Sequence, residues 1–334
     1  MSRIAVIGAG AWGTALACVA RRAENETILW ARDPAVAAAI NASAENPNYL
    51  PDIPLVSGIS ATEDLSAAMA GATAVLLVVP AQFLRSVARE MTPNLRAGTL
   101  VAICAKGVEQ GTLALMSEVL ADVLPQAEQV VLSGPTFAQE VARGLPTAVT
   151  LAAATTDIAA RMSDLIGTAR FRPYLSNDPV GAEIGGAVKN VMAIGCGIIS
   201  GLRLGDNGRA ALITRGLTEI TRLAVAKGGR AETLMGLSGL GDLTLTCNAM
   251  QSRNFSLGVA LGEGRALRDI LSERRAVTEG VFSAGAVVAL AARLGVEMPI
   301  CQAVDQVVNH GAEIDRTIQA LLSRPFTRET GAAD

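Results

Sequence analysis

Residues 3–13 read Arg-Ile-Ala-Val-Ile-Gly-Ala-Gly-Ala-Trp-Gly. The apolar run ending at Ile7 has the character of a buried strand, and Trp12–Arg21 carries a helical pattern. Between them Gly8, Gly10 and Gly13 form GxGxxG. The three glycines serve different ends. Gly8 permits a tight turn, Gly10 lets backbone approach a pyrophosphate, and Gly13 lets helix and strand pack closely. The start of the helix adds free N–H groups and the positive end of its dipole. An isolated GxGxxG says little, but one that ends the first strand of the chain marks a dinucleotide-binding turn.

The same alternation continues outward. Thr27–Trp30, Ala74–Val79, Thr99–Cys104, Gln129–Leu132 and Thr147–Leu151 read as strands. Several are unbroken apolar runs, as expected of parallel strands covered on both faces. The Ala-rich segments between them are long enough for crossover helices, which predicts an α/β, Rossmann-like domain with a doubly wound, mainly parallel sheet. Near Pro173–Asp178 the pattern changes, and no strand is expected from there to about residue 323. Asp178-Pro179 is a helix start. Asn207 is read as the cap of a helix running to Lys227, which Gly228-Gly229 stop. The expected organisation is 1–177, a dinucleotide-binding domain, 178–325, an all-α substrate and dimerisation domain, and 326–334, a mobile tail.

Composition narrows the function classes. The chain has 334 residues, 50% hydrophobic, 18% charged and 3% aromatic, with formal net charge -3. Two domains with their own cores fit this length. A weakly acidic chain with few aromatics is not a general nucleic-acid binder, and its apolar content excludes disorder. The five cysteines (Cys18, Cys104, Cys196, Cys247, Cys301) are scattered without a CxxC pair, and His310 is the only histidine. No metal site or disulfide framework is expected, and a reduced, cytoplasmic setting is. No leader or membrane span is expected either; the most apolar stretch, Ala187–Leu202, is interrupted by Lys189 and Asn190 and reads as a buried core helix.

About twenty residues past the glycine turn, where the 2′ position of a bound dinucleotide is read, the chain holds Ala31-Arg32-Asp33. Arg32 suits a 2′-phosphate and Asp33 a bare ribose, unless Asp33 caps the next helix; either cofactor is compatible, with a lean to NADPH. Among 28 basic residues only Lys106, Lys189 and Lys227 are lysine. A codon bias toward arginine accounts for the total, but lysine can lose its proton near neutral pH and arginine cannot. Lys227 fits the last turn of a helix. Lys106 directly follows an apolar strand, at the edge where open α/β sheets bind ligands. Lys189 lies mid-helix after Gly185-Gly186, glycines that cost about 1 kcal/mol each in a helix. Either a neighbouring helix or a substrate or nicotinamide must approach that face closely.

Taken together, GAGAWGTALA (8–17), LPDI (50–53), AKG (105–107), SGPTFAQE (133–140), GGAVKNVMAIG (185–195), TRGLTE (214–219), GLGDLTLTC (239–247), QSRN (251–254) and TEG (278–280) resemble the bacterial-type NAD(P)-dependent glycerol-3-phosphate dehydrogenases nearly end to end. The resemblance implies an oxidoreductase that interconverts dihydroxyacetone phosphate and sn-glycerol 3-phosphate, supplies phospholipid synthesis, and is usually a soluble homodimer. Lys189 matches the family's proton-transfer residue, with Asp242 orienting its ammonium. Lys106, Gly134, Thr136, Asp242, Ser252, Arg253 and Asn254 match substrate contacts. Ala11, Trp12, Arg32, Asp33, Tyr49, Lys106, Ala138, Arg253, Val277 and Glu279 fall where the family contacts the dinucleotide. Ala11 departs from the serine that many members carry, which removes a hydroxyl from the pyrophosphate site. The rival readings are a related hydroxyacid dehydrogenase with a phosphate-free substrate, and a cofactor-sensing regulator without turnover.

Overall fold

The computed structural model describes residues 2–274 and 277–326; the expected tail therefore lies, beyond Phe326, outside the described residues. Eight strands form one sheet: β1 (Arg3–Ile7), β2 (Glu26–Trp30), β3 (Ile59–Thr62), β4 (Ala74–Leu77), β5 (Leu100–Ile103), β6 (Glu128–Ser133), β7 (Thr147–Ala153) and β8 (Phe171–Ser176). Their order is β3-β2-β1-β4-β5-β6-β7-β8. Every neighbouring pair is parallel except β6 with β7. The chain leaves β1 toward one side of the sheet and returns to β4 on the other. That reversal opens a crevice at the carboxyl ends of β1 and β4, beside Gly8.

Helices α1 (Ala11–Arg22), α2 (Pro34–Ser43), α3 (Leu65–Met69), α4 (Leu84–Met91), α5 (Met116–Val123), α6 (Ala138–Ala142) and α7 (Thr156–Ile166) accompany the sheet. Apolar cores lie on both of its faces, one around Leu16, Leu29, Leu76 and Leu132, the other around Val75, Leu77, Leu84 and Ile103. This is why β1, β4 and β5 are almost uninterruptedly apolar.

Some sequence expectations need correction. The fourth strand stops at Leu77, because Val78–Pro80 leave the ladder after one last bond from the Val78 N–H to the Ile7 carbonyl. Strand β3 is only four residues long, with one buried side chain, too short for a legible alternation. Strand β8 occupies the segment read as the change of character. It is an edge strand, where Pro173 is tolerated because an edge does not need every N–H.

Beyond β8 the described residues are helical: α8 (Pro179–Gly201), α9 (Gly205–Ala226), α10 (Ala231–Leu234), α11 (Asp242–Asn248), α12 (Arg253–Gly262), α13 (Leu267–Ser272), α14 (Glu279–Arg293), α15 (Pro299–His310) and α16 (Ile314–Leu322). Asp178 caps α8 through Gly181 N–H (2.9 Å), and its other oxygen accepts from Arg230 N–H (2.9 Å) and the Thr233 hydroxyl (2.6 Å). Helix α8 is long and apolar enough to cross a bilayer, so its length does not exclude that role. However, 83% of its most apolar window is buried within the protein, as the axis of the helical core. Helix α12 crosses it in backbone contact. A Cβ on Gly197 would stand 2.1 Å from the Phe255 carbonyl oxygen, and one on Gly258 would stand 2.1 Å from that of Ile194.

Asn207 is not a cap, since α9 begins two residues earlier at Gly205. Lys227 does more than close a helix: its ammonium pairs with Glu118 on α5 at 2.5 Å. The sheet and the helices are also joined by the segment after β5. Val108 and Leu115, fully buried, belong to the helical core, and Arg293 on α14 donates to the carbonyls of Thr112 (3.1 Å) and Leu113 (3.3 Å).

Glu183 on α8 is buried against α5, where it accepts from the N–H (2.8 Å) and hydroxyl (2.5 Å) of Ser117. Burial outweighs these bonds and pushes its carboxyl up to about 7. A carboxyl raised on folding stabilises the protein most below its unfolded value and loses that contribution as pH rises through the folded value. The loss should amount to roughly 3 kcal/mol at most between pH 4.5 and 7. Glu183→Gln should therefore gain stability relative to the parent between pH 5 and pH 8. Urea unfolding at both pH values checks this, and a constant difference would remove Glu183 as the titrating group.

Candidate active site

Three elements deliver charged groups to one point. Lys106 follows β5 at the carboxyl edge of the sheet, and Lys189 projects from the middle of α8. Asp242 opens α11, directly after a single π-helical turn, Leu237–Gly241. One oxygen of Asp242 accepts from the Lys189 ammonium at 2.5 Å, and the other from the Lys106 ammonium at 2.6 Å. Lys106 also donates to the carbonyl of Gly134, just past β6, at 3.2 Å. Asp242 is completely buried and Lys189 nearly so, while Lys106 is partly open. One carboxylate thus stands between two ammonium groups, leaving one positive charge in excess.

The Thr246 hydroxyl, one turn after Asp242, completes the frame. It donates to the Asp242 carbonyl (2.6 Å) and accepts from Lys189 (3.0 Å). An ammonium has three N–H groups; Lys189 uses two here, and the third has no acceptor among the described residues. Burial lowers the Lys189 pKa, Asp242 raises it, and Lys106 lowers it again, giving about 8.

The Gly185-Gly186 pair also has an explanation. A Cβ at 185 would lie 2.4 Å from the Ser238 carbonyl oxygen of the π turn. At 186 it would meet Ser133 Oγ at 3.1 Å and the Lys106 stem at 3.3 Å. The close neighbour is therefore protein, and Gly186 is the groove in which the Lys106 side chain lies.

Around this centre, Gly134 has φ +149°, with Val149 Cα 3.1 Å from where a Cβ would be. Thr136 donates its hydroxyl to the Gly134 carbonyl (3.4 Å). Ser252 caps α12 through Phe255 N–H (3.2 Å), and Arg253, the next residue, is exposed and donates to the Val277 carbonyl (2.8 Å). Asn254 donates to Asn190, beside Lys189, at 2.9 Å and accepts from Gly280 N–H at 3.0 Å. Glu279 opens α14 and accepts from Ala81 N–H (3.3 Å). His310 is remote, at the end of α15, facing Asp305. Among the described residues no cluster of His, Cys, Asp and Glu is placed to hold a metal ion.

The glycine turn fits a dinucleotide. Gly8 has φ +118°, and its Cβ would strike the Val78 carbonyl oxygen at 2.7 Å; on Gly13 a Cβ would lie 1.8 Å from the Gly8 oxygen. Next to Gly10 nothing lies within 4 Å, which leaves room for a phosphate. Among the described residues no protein group accepts from the N–H of Gly10, Ala11 or Trp12. Asp33 is engaged as the cap of α2, accepting from Ala35 N–H at 2.9 Å, whereas Arg32 is exposed and makes no hydrogen bond among the described residues. Tyr49 is partly exposed, and Ala138, at the start of α6, is half-buried. The second oxygen of Glu279 is buried without a partner among the described residues, an acceptor suited to an amide N–H such as that of a nicotinamide.

Thr246, Asn190 and Ala81 were not read from the sequence. Thr246 stands four residues after Asp242, one helical turn, and that spacing is the signal that could have found it.

A glycine-turn crevice beside two lysines and a shared carboxylate defines a nicotinamide-dependent dehydrogenase with a separate helical domain. The comparisons narrow this further. NAD-dependent glycerol-3-phosphate dehydrogenase N-terminus matches residues 3–159, and NAD-dependent glycerol-3-phosphate dehydrogenase C-terminus matches residues 178–319. A glycerol-3-phosphate dehydrogenase [NAD(P)+] of Rhodospirillum rubrum is 59% identical over 99% of this chain and 95% of its own. That of Parvibaculum lavamentivorans is 56% identical over 98% of each. The crystal structure of the Coxiella burnetii glycerol-3-phosphate dehydrogenase superposes with a TM-score of 0.93 at 41% identity, covering 97% of this chain and 99% of that one. The chain belongs to the NAD(P)-dependent glycerol-3-phosphate dehydrogenase family.

Gly186→Ala should fold but push the Lys106 stem aside. The close contacts require a shift of only a few tenths of an ångström; because about 1 Å at a reacting centre costs roughly 10²-fold in rate, kcat/KM should fall by less than that factor, with cofactor affinity retained. Steady-state kinetics with a cofactor titration checks it; undiminished kcat/KM would show that the Lys106 position is not critical.

Proposed function

We propose that the protein interconverts dihydroxyacetone phosphate and sn-glycerol 3-phosphate with NADPH or NADH, and that Lys189 moves the proton. The observation that carries this reading is the Asp242 carboxylate held between Lys106 and Lys189 at the mouth of the dinucleotide crevice. The reduced nicotinamide, when bound, supplies the hydride for the C2 carbonyl carbon. Gly8, Gly10 and Gly13 give its pyrophosphate a close backbone, with Ala11, Trp12, Tyr49, Ala138 and Val277 around it and Glu279 taking the carboxamide.

Asp242 and Thr246 hold the Lys189 ammonium so that its third N–H faces the oxygen that becomes alkoxide, and Lys189 delivers that proton. In the reverse direction neutral Lys189 takes the hydroxyl proton. Lys106 and Arg253 offer positive charge to substrate oxygens and the phosphate, with Gly134, Thr136, Ser252 and Asn254 shaping the site and donating hydrogen bonds. Arg32, free beside a capped Asp33, supports a preference for NADPH. We divide the chain at 177/178 into a dinucleotide-binding part and a helical substrate part, and place the enzyme in the cytoplasm as a homodimer that feeds phospholipid synthesis, as the family resemblance suggests.

The assay is NADPH oxidation by purified protein with dihydroxyacetone phosphate, repeated with NADH. Substrate-dependent loss of absorbance, faster with NADPH, is expected. Binding of cofactor without any turnover would exclude this substrate. Lys189→Arg should fold and bind NADPH yet lose on the order of 10²–10⁴-fold in kcat, the range for a lost proton donor.

The lowered Lys189 pKa of about 8 fixes the pH behaviour. Reduction needs the ammonium, so its kcat/KM should fall as pH rises above about 8. Oxidation needs the neutral amine and should rise through the same region. Profiles of both directions between pH 6 and pH 10 check this, and coincident optima would remove Lys189 from proton transfer.

A further inference from the structure

Ala9 and Gly10 share one peptide group, and the way it faces decides whether the glycine turn presents a donor or an acceptor to an anion. A side chain 37 residues from Ala9 controls that orientation. Asn46, in the connection after α2, is fully buried although it is polar. Its Nδ2 donates to the Ala9 carbonyl at 2.9 Å and to the Thr14 hydroxyl oxygen at 2.8 Å. Its Oδ1 accepts from the Tyr49 N–H at 3.3 Å, and its backbone carbonyl accepts from Leu50 N–H at 2.8 Å.

In a planar trans peptide the C=O and N–H point in opposite directions. Holding the Ala9 carbonyl inward on Asn46 therefore turns the Gly10 N–H away from the interior, and that N–H has no acceptor among the described residues. We propose that Asn46 is a positioning residue for the dinucleotide pyrophosphate: it fixes the Ala9–Gly10 peptide plane with its N–H outward and ties that plane to the loop carrying Tyr49. Without this clamp the Ala9 carbonyl keeps only the Thr14 hydroxyl, at a long 3.5 Å. The peptide is then free to turn its oxygen toward the phosphates.

The residue type matters. An amide supplies two N–H donors and an acceptor at one site, and a carboxylate of the same shape supplies acceptors only. Asn46→Asp would place negative charge against the Ala9 oxygen and near the pyrophosphate.

The test uses the full-length enzyme. For Asn46→Asp, NADPH and NADH affinities measured by fluorescence titration should weaken by the same factor, about 10- to 100-fold, because both carry the pyrophosphate. The KM for dihydroxyacetone phosphate and kcat at saturating cofactor should stay near those of the parent, while the melting temperature without cofactor falls because the new carboxylate is buried against a carbonyl oxygen. Unchanged cofactor affinity overturns the proposal. So does a loss shared equally by the KM for dihydroxyacetone phosphate and kcat, which is what general disorder of the fold would give. Should Asn46→Asp not fold, Thr14→Val decides. It removes one acceptor of the clamp and should weaken both cofactors about 5-fold, the effect of one ordinary hydrogen bond, while Thr14→Ser restores parental binding. Parental affinity in Thr14→Val would overturn the proposal as well.

Discussion

Asp242 is a carboxylate removed from water, and its two partners come from opposite halves of the molecule: Lys106 from the edge of the sheet and Lys189 from the axis of the helical core. A buried ion pair of this kind is not a source of net stability, because desolvation of the charges offsets most of their attraction. What it fixes is position. Removing Asp242 would leave two neighbouring ammonium groups with no counter-charge, one of them buried, at a cost of about 3–5 kcal/mol. The rest of the fold provides the geometry that makes the triad tolerable: the Thr246 hydroxyl, the Gly134 carbonyl, and the glycine groove at 186 that lets the Lys106 stem lie against α8.

The excess positive charge links structure to chemistry. Two ammonium groups sharing one carboxylate attract an anionic substrate, and the Lys106 charge lowers the tendency of Lys189 to stay protonated. Burial acts on Lys189 in the same sense and more strongly. A group that must give a proton in one direction and take it in the other is best served by a pKa near the working pH. Lys189 reaches that range through its surroundings, and arginine could not do so in the same place.

Much of this was legible in the chain because the physics is local. The glycine turn, the apolar parallel strands and the Asp178-Pro179 helix start each depend on neighbouring residues. The two informative lysines stood out against an arginine-rich background. Strands β3 and β8 were missed because one is too short to alternate and the other is a proline-containing edge held by pairing with β7. Asn207 was misread as a cap because a good capping residue does not say where the preceding loop ends. Asn190 and Asn46 owe their roles to partners 64 and 37 residues away, and nothing local marks them, whereas Thr246 is marked only by its place one turn after Asp242.

The segment between β5 and α5 leaves the sheet, inserts Val108 and Leu115 into the helical core, and returns. The polypeptide therefore crosses between the two halves at this excursion as well as at 177/178. The excursion begins immediately after Lys106. A chain cut at 177/178 would strip solvent-shielded Val108 and Leu115 of their neighbours, which makes that junction a division in topology but not a seam along which the protein could be dissected into independently stable pieces.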